Sequence, residues 1–425
     1  MKFRLIGTHA ESVGLALRLN QEGHSVSFFV KDPEAKNVYK GIIDRAESPV
    51  ADIDKDTILI FDTVKFGKQA DALKKVGYKV YGGSVIADDL ELDRAFGIPV
   101  AVNAGIEVPR WEEFQDFEKA KKFVEEMGSA CVFKPEANKD GVQTYVSSSP
   151  ENMIAMLNFY AKKWKGGVDF ILQEVVEGVE ISSEVWVSNG IIVPNSYNNT
   201  LEEKKFFNDN LSQNTGCQSS LVKFNMCPGL YKKTFKKLES WLKSQKYNGP
   251  LDINCIIDAN GEPYFLEWTS RFGYSAIYAF CELLNMELGE FFFTLASGEV
   301  PKLEPSDEWG GALRVTMPPY PQEDCKMTEG KPIFGIDLND EHMFPLDVKI
   351  EDDMLVTAGY DALVVEITGS NPDMSDLWDD IYDRAFSEDL QIPDKTFRTD
   401  VKESAQKRLD ELADLGLYDD SEYSL

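Results

Sequence analysis

The sequence predicts an α/β protein: a parallel α/β domain at the N-terminus, a larger mixed region after it, and an α+β domain at the C-terminus. Three observations predict it. Short apolar strands alternate with helical stretches over residues 1–88, as a parallel sheet requires. Strand-length runs separated by polar turns then dominate residues 130–270. A Pro- and charge-rich stretch, Pro301 to Trp309 (PKLEPSDEW), marks a boundary, after which strands and then helices close the chain. With 425 residues, 43% of them hydrophobic, the chain can bury a large core and build roughly two to four domains.

The elements follow in order. Lys2 to Gly7 is an apolar strand, and Gly7 ends it. A helix runs on to about Gln21. His24–Val30, Thr57–Asp62 and Tyr78–Tyr81 continue the strand alternation. The turn after the first strand holds Gly7 and Gly14 but no G-x-G-x-x-G, so no dinucleotide site is expected. Leu90 to about Pro109 reads mainly as helix. Ala130–Pro135 is a strand, followed by a polar NKDG loop and a second strand, VQTYVSS. Asn152–Lys163 is a helix, and Asp169–Val176 and Glu180–Val187 are strands. Leu230–Gln245 is an amphipathic helix with Phe235, Leu238, Trp241 and Leu242 on one side. One helix is expected over Tyr278–Leu295. ALRVTM and ALVVEIT are strands, 375–386 and 401–415 are helices, and the last residues, DDSEYSL, are frayed. The expected units are 1–88, 89–300 with a small mobile lobe at about 115–178, and 301–425.

The formal charge of −29 argues against nucleic acid and against anionic membrane surfaces, since like charges repel. No apolar run reaches transmembrane length and the first residues have no signal-peptide pattern. The six cysteines are scattered without a C-x-x-C pair, which fits a reducing, cytoplasmic setting. Three histidines leave little for a His-rich zinc site or a Ser-His-Asp triad.

The informative stretch is LDINCIIDANGEPYFLEWTSRFGYSA, Leu251 to Ala276. Asn260-Gly261 signals a two-residue hairpin turn. Such a turn places Asn254 opposite Glu267 and Asp252 opposite Thr269, all on one face. Ile253, Cys255, Ile257, Tyr264 and Leu266 then form the core face. The result is an oxygen-rich patch at the open end of the hairpin, which suits a hard cation completed by water and phosphate. Arg271 beside it favours phosphate. Lys134, at a strand end beside a polar loop, suits a phosphate contact as a point charge. In ILQEVVEGVE, Ile171 to Glu180, an apolar strand kinks at Gly178, which could hold a purine edge, with Glu180 placed to accept from ribose hydroxyls.

Taken together and in this order, these segments resemble the ATP-grasp ligases, and most resemble the phosphoribosylamine–glycine ligases (glycinamide ribonucleotide synthetases). The resemblance rests on KVYGGSVIADDLELDRAF, ILQEVVEGVEIS, SQNTGCQSS (Ser212–Ser220), FLEWTSRFG and KTFRTDV. It implies an ATP-grasp fold with an N-terminal pre-ATP-grasp domain. It also implies the cofactors ATP and Mg²⁺ (or Mn²⁺), and a reaction in which ATP phosphorylates a carboxylate that an amine then attacks. Glu267 would be the main metal ligand, helped by Asn254, Asp252 and Thr269. Lys134 and Arg94 would contact phosphates. Gln173, Glu174 and Val176 would line adenine, and Glu180 the ribose. Asn214, Thr215 and Gly216 would form a substrate loop. Arg271 and Lys134 would be catalytic, stabilising the transferring phosphoryl group. The partners would be a small-molecule amine and carboxylate, with no nucleic acid and no membrane, in a monomer or dimer. Departures accompany the likeness. Thr269 replaces an Asn, Gly141 is the only glycine of PEANKDGVQ, Tyr274 replaces an Asp, Cys217 replaces a Gly, and GTHAES lacks the Arg of the sugar-phosphate motif. The resemblance therefore implies a carboxylate–amine ligase with a related substrate pair. The alternatives are the orthodox glycinamide ribonucleotide activity of purine synthesis and an inactive nucleotide-binding homologue.

Overall fold

A computed structural model describes residues 1–135, 144–164, 169–322 and 324–419. β1 (Lys2–Gly7), α1 (Val13–Gln21), β2 (Ser25–Val30), β3 (Asp44–Arg45), β4 (Thr57–Phe61), α2 (Gly67–Lys75) and β5 (Lys79–Tyr81) form the first unit. Its five strands lie in the order β3-β2-β1-β4-β5, and every pairing is parallel. Both faces are covered, so β4 is buried along its whole length and its sequence, TILIF, is continuously apolar. The order reverses between β1 and β4. Gly7 and Asp62 therefore meet at a switch point, outside the carboxyl ends of these two strands.

α3 (Val85–Leu92) and α4 (Arg94–Asn103) follow. The sequence suggests one helical run, but Asp93 breaks it, and its carboxylate caps the second helix by accepting from Phe96 N at 3.2 Å. β6 (Trp111–Phe114), α5 (Phe117–Met127), β7 (Cys131–Pro135), β8 (Tyr145–Val146), α6 (Pro150–Lys163) and β9 (Phe170–Glu174) build a four-stranded antiparallel sheet, order β6-β9-β7-β8. Phe114, Phe123, Phe133, Leu157 and Phe170 give this lobe a core separate from the main one. The NKDG loop and Gly141 lie outside the described residues, as does most of DDSEYSL. Of the expected VQTYVSS strand, only Tyr145–Val146 is a described strand.

β10 (Val179–Ser188), β11 (Ile191–Ile192), β12 (Asn198–Phe207), β13 (Leu211–Phe224), α7 (Pro228–Lys233), α8 (Phe235–Gln245), β14 (Gly249–Ile257), β15 (Pro263–Thr269), α9 (Ala276–Leu283), α10 (Leu288–Ala296), β16 (Trp309–Thr316), β17 (Met343–Pro345), β18 (Val348–Glu351), β19 (Met354–Thr357), β20 (Leu363–Asn371), α11 (Met374–Phe386) and α12 (Val401–Asp414) complete the chain. Their main product is a nine-stranded sheet, ordered β15-β14-β10-β12-β13-β16-β20-β17, with β11 on the edge of β10. This sheet passes through position 301 without a break, because β13 pairs with β16. Two expected single helices are each divided. α7 and α8 part at Thr234, whose ψ of −93° is not helical, and α9 and α10 part between Leu283 and Leu288. Trp186 joins the first unit to this sheet. Its ring stacks on Tyr81 at 5.9 Å and on Phe280 at 4.8 Å.

Candidate active site

The hairpin β14–β15 carries the expected oxygen patch, reached by a different route. Asn254 pairs with Glu267 and Asp252 with Thr269, as the sequence predicts. The turn, however, is not Asn260-Gly261 alone. Asp258 N donates to Glu262 O at 3.0 Å, and the Asp258 carboxylate accepts from Asn260 N and Glu262 N, closing a longer loop. This shifts the pairing near the turn by one residue, so Cys255 faces Phe265. Phe265 and Trp268 are therefore buried, as is Pro263 at the start of β15, and Tyr264 and Leu266, expected in the core, are half-exposed. A bulge at Leu266 restores the register. The Leu266 carbonyl, left out of the ladder, accepts from Lys134 Nζ at 3.2 Å. The bulge thus links the oxygen patch to the phosphate-binding candidate on β7.

Charges alternate around that contact. Lys134 is buried, and burial lowers its ammonium to about 8, against the opposing pull of Glu267 and Glu180. Arg94 Nη1 donates to Pro135 O at 2.5 Å, just beyond Lys134. Lys204, on β12, donates to Glu180 at 2.6 Å and lies 3.6 Å from Glu202. Burial works against its charge, but Glu180, Glu202 and Glu267 hold the ammonium above its usual range. At Glu267 the surrounding protein raises the carboxyl, and Lys204, Lys134, Arg94 and Arg271 outweigh it, so the net shift is downward. Glu267 thus remains anionic and is exposed at the cleft, while Asn254 and Asp252 behind it are buried. Asn254 Oδ1 has no hydrogen-bond partner, which leaves a spare oxygen across the strand pair from Glu267. Asp252 is pushed well up by burial and by Glu202 and Glu184, a cost that a cation would offset. Among the described residues no group of three or more Asp, Glu, His or Cys could hold a metal alone. A cation here would therefore depend on phosphate and water oxygens as well as Glu267 and Asn254.

The chain bends at Gly178, between β9 and β10, where the sequence places the kink. Gly178 has φ of +152°, and a Cβ there would lie 1.9 Å from the Ile257 carbonyl, so only glycine lets the chain pass β14 at this point. Gln173 is buried with both amide atoms unpartnered, Glu174 is exposed and Val176 is half-buried. Arg271 donates to Glu91 at 3.2 Å, which fixes it against α3.

Asn214, Thr215 and Gly216 depart from expectation. They lie within strand β13, not in a loop, and pair irregularly with β12. Thr215 Oγ1 donates to the Lys204 carbonyl at 3.3 Å, so this strand abuts the charged cleft. Gly216 has φ of +86° with open space where a Cβ would point. Lys204, Glu202, Glu184 and Glu91 are members of the site that sequence reasoning missed. LEEKKFF reads locally as an exposed charged strand, and only the pairing of β12 beside β10 reveals Lys204 as central.

The fold and this charge pattern define an ATP-grasp enzyme, an ATP-dependent ligase. Residues 93–276 match the model of the phosphoribosylglycinamide synthetase ATP-grasp (A) domain. A phosphoribosylamine–glycine ligase of Halalkalibacterium halodurans is 23% identical over 310 residues, 69% of this chain and 70% of that protein. One from Leptospira interrogans is 22% identical over 355 residues, 78% of this chain and 79% of that protein. In shape, the crystal structure of phosphoribosylamine–glycine ligase from Thermotoga maritima covers 94% of this chain and 99% of its own at a TM-score of 0.72, with 18% identity. The biotin carboxylase domain of 2-oxoglutarate carboxylase from Hydrogenobacter thermophilus, solved with MgADP and bicarbonate, has a TM-score of 0.66 and 14% identity over 98% of this chain and 99% of that one.

Proposed function

We propose that the protein is a Mg-ATP-dependent carboxylate–amine ligase acting through an acyl-phosphate. The observation that carries this reading is the alternation of Lys134, Glu267, Lys204 and Glu180 around the hairpin end, with Asn254 Oδ1 unused beside it. In this reading Lys134 and Arg94 contact the phosphates, and Gln173, Glu174 and Val176 line the adenine. Glu180 takes the ribose. Glu267 and Asn254 are the main cation ligands, with Asp252 and Thr269 behind them. Magnesium, when bound, would neutralise the phosphate oxygens. Arg271, held by Glu91, steadies the charge that builds on the transferring phosphoryl group. Asn214, Thr215 and Gly216 border the carboxylate substrate. Residues 89–300 perform the nucleotide chemistry with a mobile lobe near 115–178, residues 1–88 close the amine side, and residues 301–425 complete the large sheet. The work belongs in the cytoplasm. Among the described residues no helix is long and apolar enough to cross a membrane.

The relatives are named for phosphoribosylamine and glycine, so that pair is the first to test. The experiment is ADP release with glycine and phosphoribosylamine, then with a panel of other carboxylates and amines, on wild type and Glu267→Ala. Substrate-dependent ADP release that the variant loses supports the reading. ATP binding without turnover for every pair would leave a nucleotide-binding homologue.

A further inference from the structure

The tip of the β12–β13 hairpin is gripped by the end of the chain. β10 pairs with β12 over Asn198–Thr200, short of Lys204. On the other side Glu203 pairs with Ser219 and Lys205 with Asn214, so Lys204 stands opposite a bulge running from Thr215 to Gln218. A second irregularity lies between Lys205 and Phe207. A ladder interrupted around a residue does not by itself fix where that residue points. Side chains of the C-terminal unit supply the missing restraint. Arg398 Nη1 donates to the Lys205 carbonyl at 3.2 Å and to Asn210 Oδ1 at 2.9 Å. Arg408 Nη1 donates to the Glu202 carbonyl at 2.9 Å. Glu203, buried between them, lies 3.2 Å from Arg398 Nη1, bonds Arg408 Nη2 and accepts from Ser404 Oγ at 2.6 Å. Arg398 is only 1% exposed, and its Nε and Nη2 donate to the two oxygens of Asp400 at 2.8 and 2.7 Å. The next residues close the grip. Asn208 Nδ2 donates to Thr399 Oγ1 at 2.7 Å, Thr399 N donates to Asn208 Oδ1 at 3.1 Å, and Asp209 N donates to Asp400 Oδ2 at 2.8 Å.

We propose that Arg398 is a positioning residue of the candidate active site: through Glu203 and the Asn208–Asn210 tip it fixes the segment of β12 that aims Lys204 at Glu180. The planar guanidinium reaches a strand carbonyl, a tip side chain and two carboxylates at once, which a lysine ammonium cannot match. A buried charged group held by several partners stiffens what it touches. What it touches here is the stretch of β12 on either side of Lys204. Glu203 turns towards Arg398, and Lys204, the next residue, turns to the opposite face. There it donates to Glu180 at 2.6 Å and lies 3.6 Å from Glu202. The last unit of the chain thus sets the geometry of the cleft from behind the strand. Loosening the grip frees Lys204 to swing, and Glu180, the proposed ribose contact, loses the cation that orients it. The inference rests on the ligase reading for its effect on turnover, and on these contacts alone for its effect on Lys204.

The test reads Lys204 directly, on the full chain without ATP. Trace acylation with acetic anhydride, followed by peptide mass spectrometry, gives the rate at Lys204 beside that at Lys134, which lies on β7 outside the grip. Acylation needs a free neutral amine, and Glu180 and Glu202 hold Lys204 as the ammonium. Asn208→Ala deletes two exposed hydrogen bonds to Thr399 and leaves the buried Arg398–Glu203 pair in place. It should raise the Lys204 rate by about threefold or more, with the Lys134 rate unchanged. Arg398→Lys keeps a charge beside Glu203 but loses the fork, and should raise the Lys204 rate by about tenfold or more. If Arg398→Lys does not fold, Asn208→Ala decides alone. A Lys204 rate equal to wild type, or an equal rise at Lys204 and Lys134, overturns the positioning role and leaves the ligase reading untouched. In substrate-dependent ADP release, Asn208→Ala should raise KM for ATP by about three- to tenfold with kcat little changed. In a Lys204→Met background the same substitution should add nothing. A full additional effect there would overturn action through Lys204. No ADP release from wild type would count against the ligase reading, and the labelling would still decide the grip.

Discussion

The ATP cleft and the switch-point crevice are both rich in carboxylates, but they handle them in opposite ways. At the mouth of the cleft Glu180 and Glu267 each have a cation near them, whereas Asp252 and Glu184 deeper in are pushed up by burial. Lys204 lies between Glu180 and Glu202, and Glu267 faces Lys134, Lys204, Arg94 and Arg271, so its carboxyl titrates below its usual range. In the crevice Asp62 is buried and titrates near neutrality. The mouth of the cleft is thus built to keep charge, as the proposed place for phosphate and a cation must be. The crevice holds a group that changes charge near neutral pH.

The largest expected effect breaks the cleft. Glu267→Ala should reduce turnover by on the order of 10³-fold or more, because it removes the proposed main cation ligand. It should also abolish the magnesium-dependent thermal shift with ATP, which for wild type at about a hundred times Kd amounts to roughly 2.7 kcal/mol. Normal ADP production in this variant would refute the site. Lys134→Met comes next. Losing the proposed charged contact to phosphate should weaken ATP binding by roughly ten- to a hundredfold. Because burial lowers the ammonium to about 8, ATP affinity of the wild type should also fall as pH rises from 7.5 to 9. Titration calorimetry at the two pH values checks this, and Lys134→Met should show little of the pH dependence.

Asp62→Asn sharpens the comparison from the crevice side. The folded carboxyl titrates at about 7 instead of 3.8, so the folded state binds the extra proton between those values. Stability from this group is therefore present below about pH 4 and is lost as pH rises to about 7. Removing the charge should stabilise the unliganded protein at pH 8 by on the order of 2–4 kcal/mol and have little effect at pH 4. Urea melts at the two pH values decide it. Equal effects at both would mean the carboxyl is not raised.

How much of this was legible in the sequence differs between the two regions, for a physical reason. The cleft is built largely from a hairpin and from strand ends, and the pairing of Asn254 with Glu267 followed from alternation. It survived a wrong turn because the bulge at Leu266 cancelled the one-residue slip. The faces near the turn did not survive, which is why Phe265 replaced Leu266 in the core. Lys204 is hidden in the sequence because its hydrogen-bond partner Glu180 comes from β10, outside its own hairpin. The crevice was less legible still. Asp62 and Tyr274 are far apart in sequence and meet only when the first sheet docks on the segment after β15. Tyr274 stands out in the sequence as a departure from a family pattern, but nothing local names Asp62 as its partner. The family resemblance implies a substrate loop at Asn214–Gly216, and tertiary pairing with β12 makes the segment a strand.

Two glycines give the smallest effects and separate backbone need from substrate need. Gly178→Ala should cost about 2–4 kcal/mol, because the Cβ would collide with the Ile257 carbonyl and the backbone is left-handed. Gly216 also has positive φ, yet nothing lies within 4 Å of its would-be Cβ. Gly216→Asn should therefore change stability by about 1 kcal/mol or less, since Asn tolerates that conformation. If Gly216 borders the carboxylate substrate, the new side chain should raise KM for the carboxylate severalfold while KM for ATP stays fixed. An unchanged KM for both would move the substrate away from β13 and leave the open space at Gly216 as a property of the strand alone.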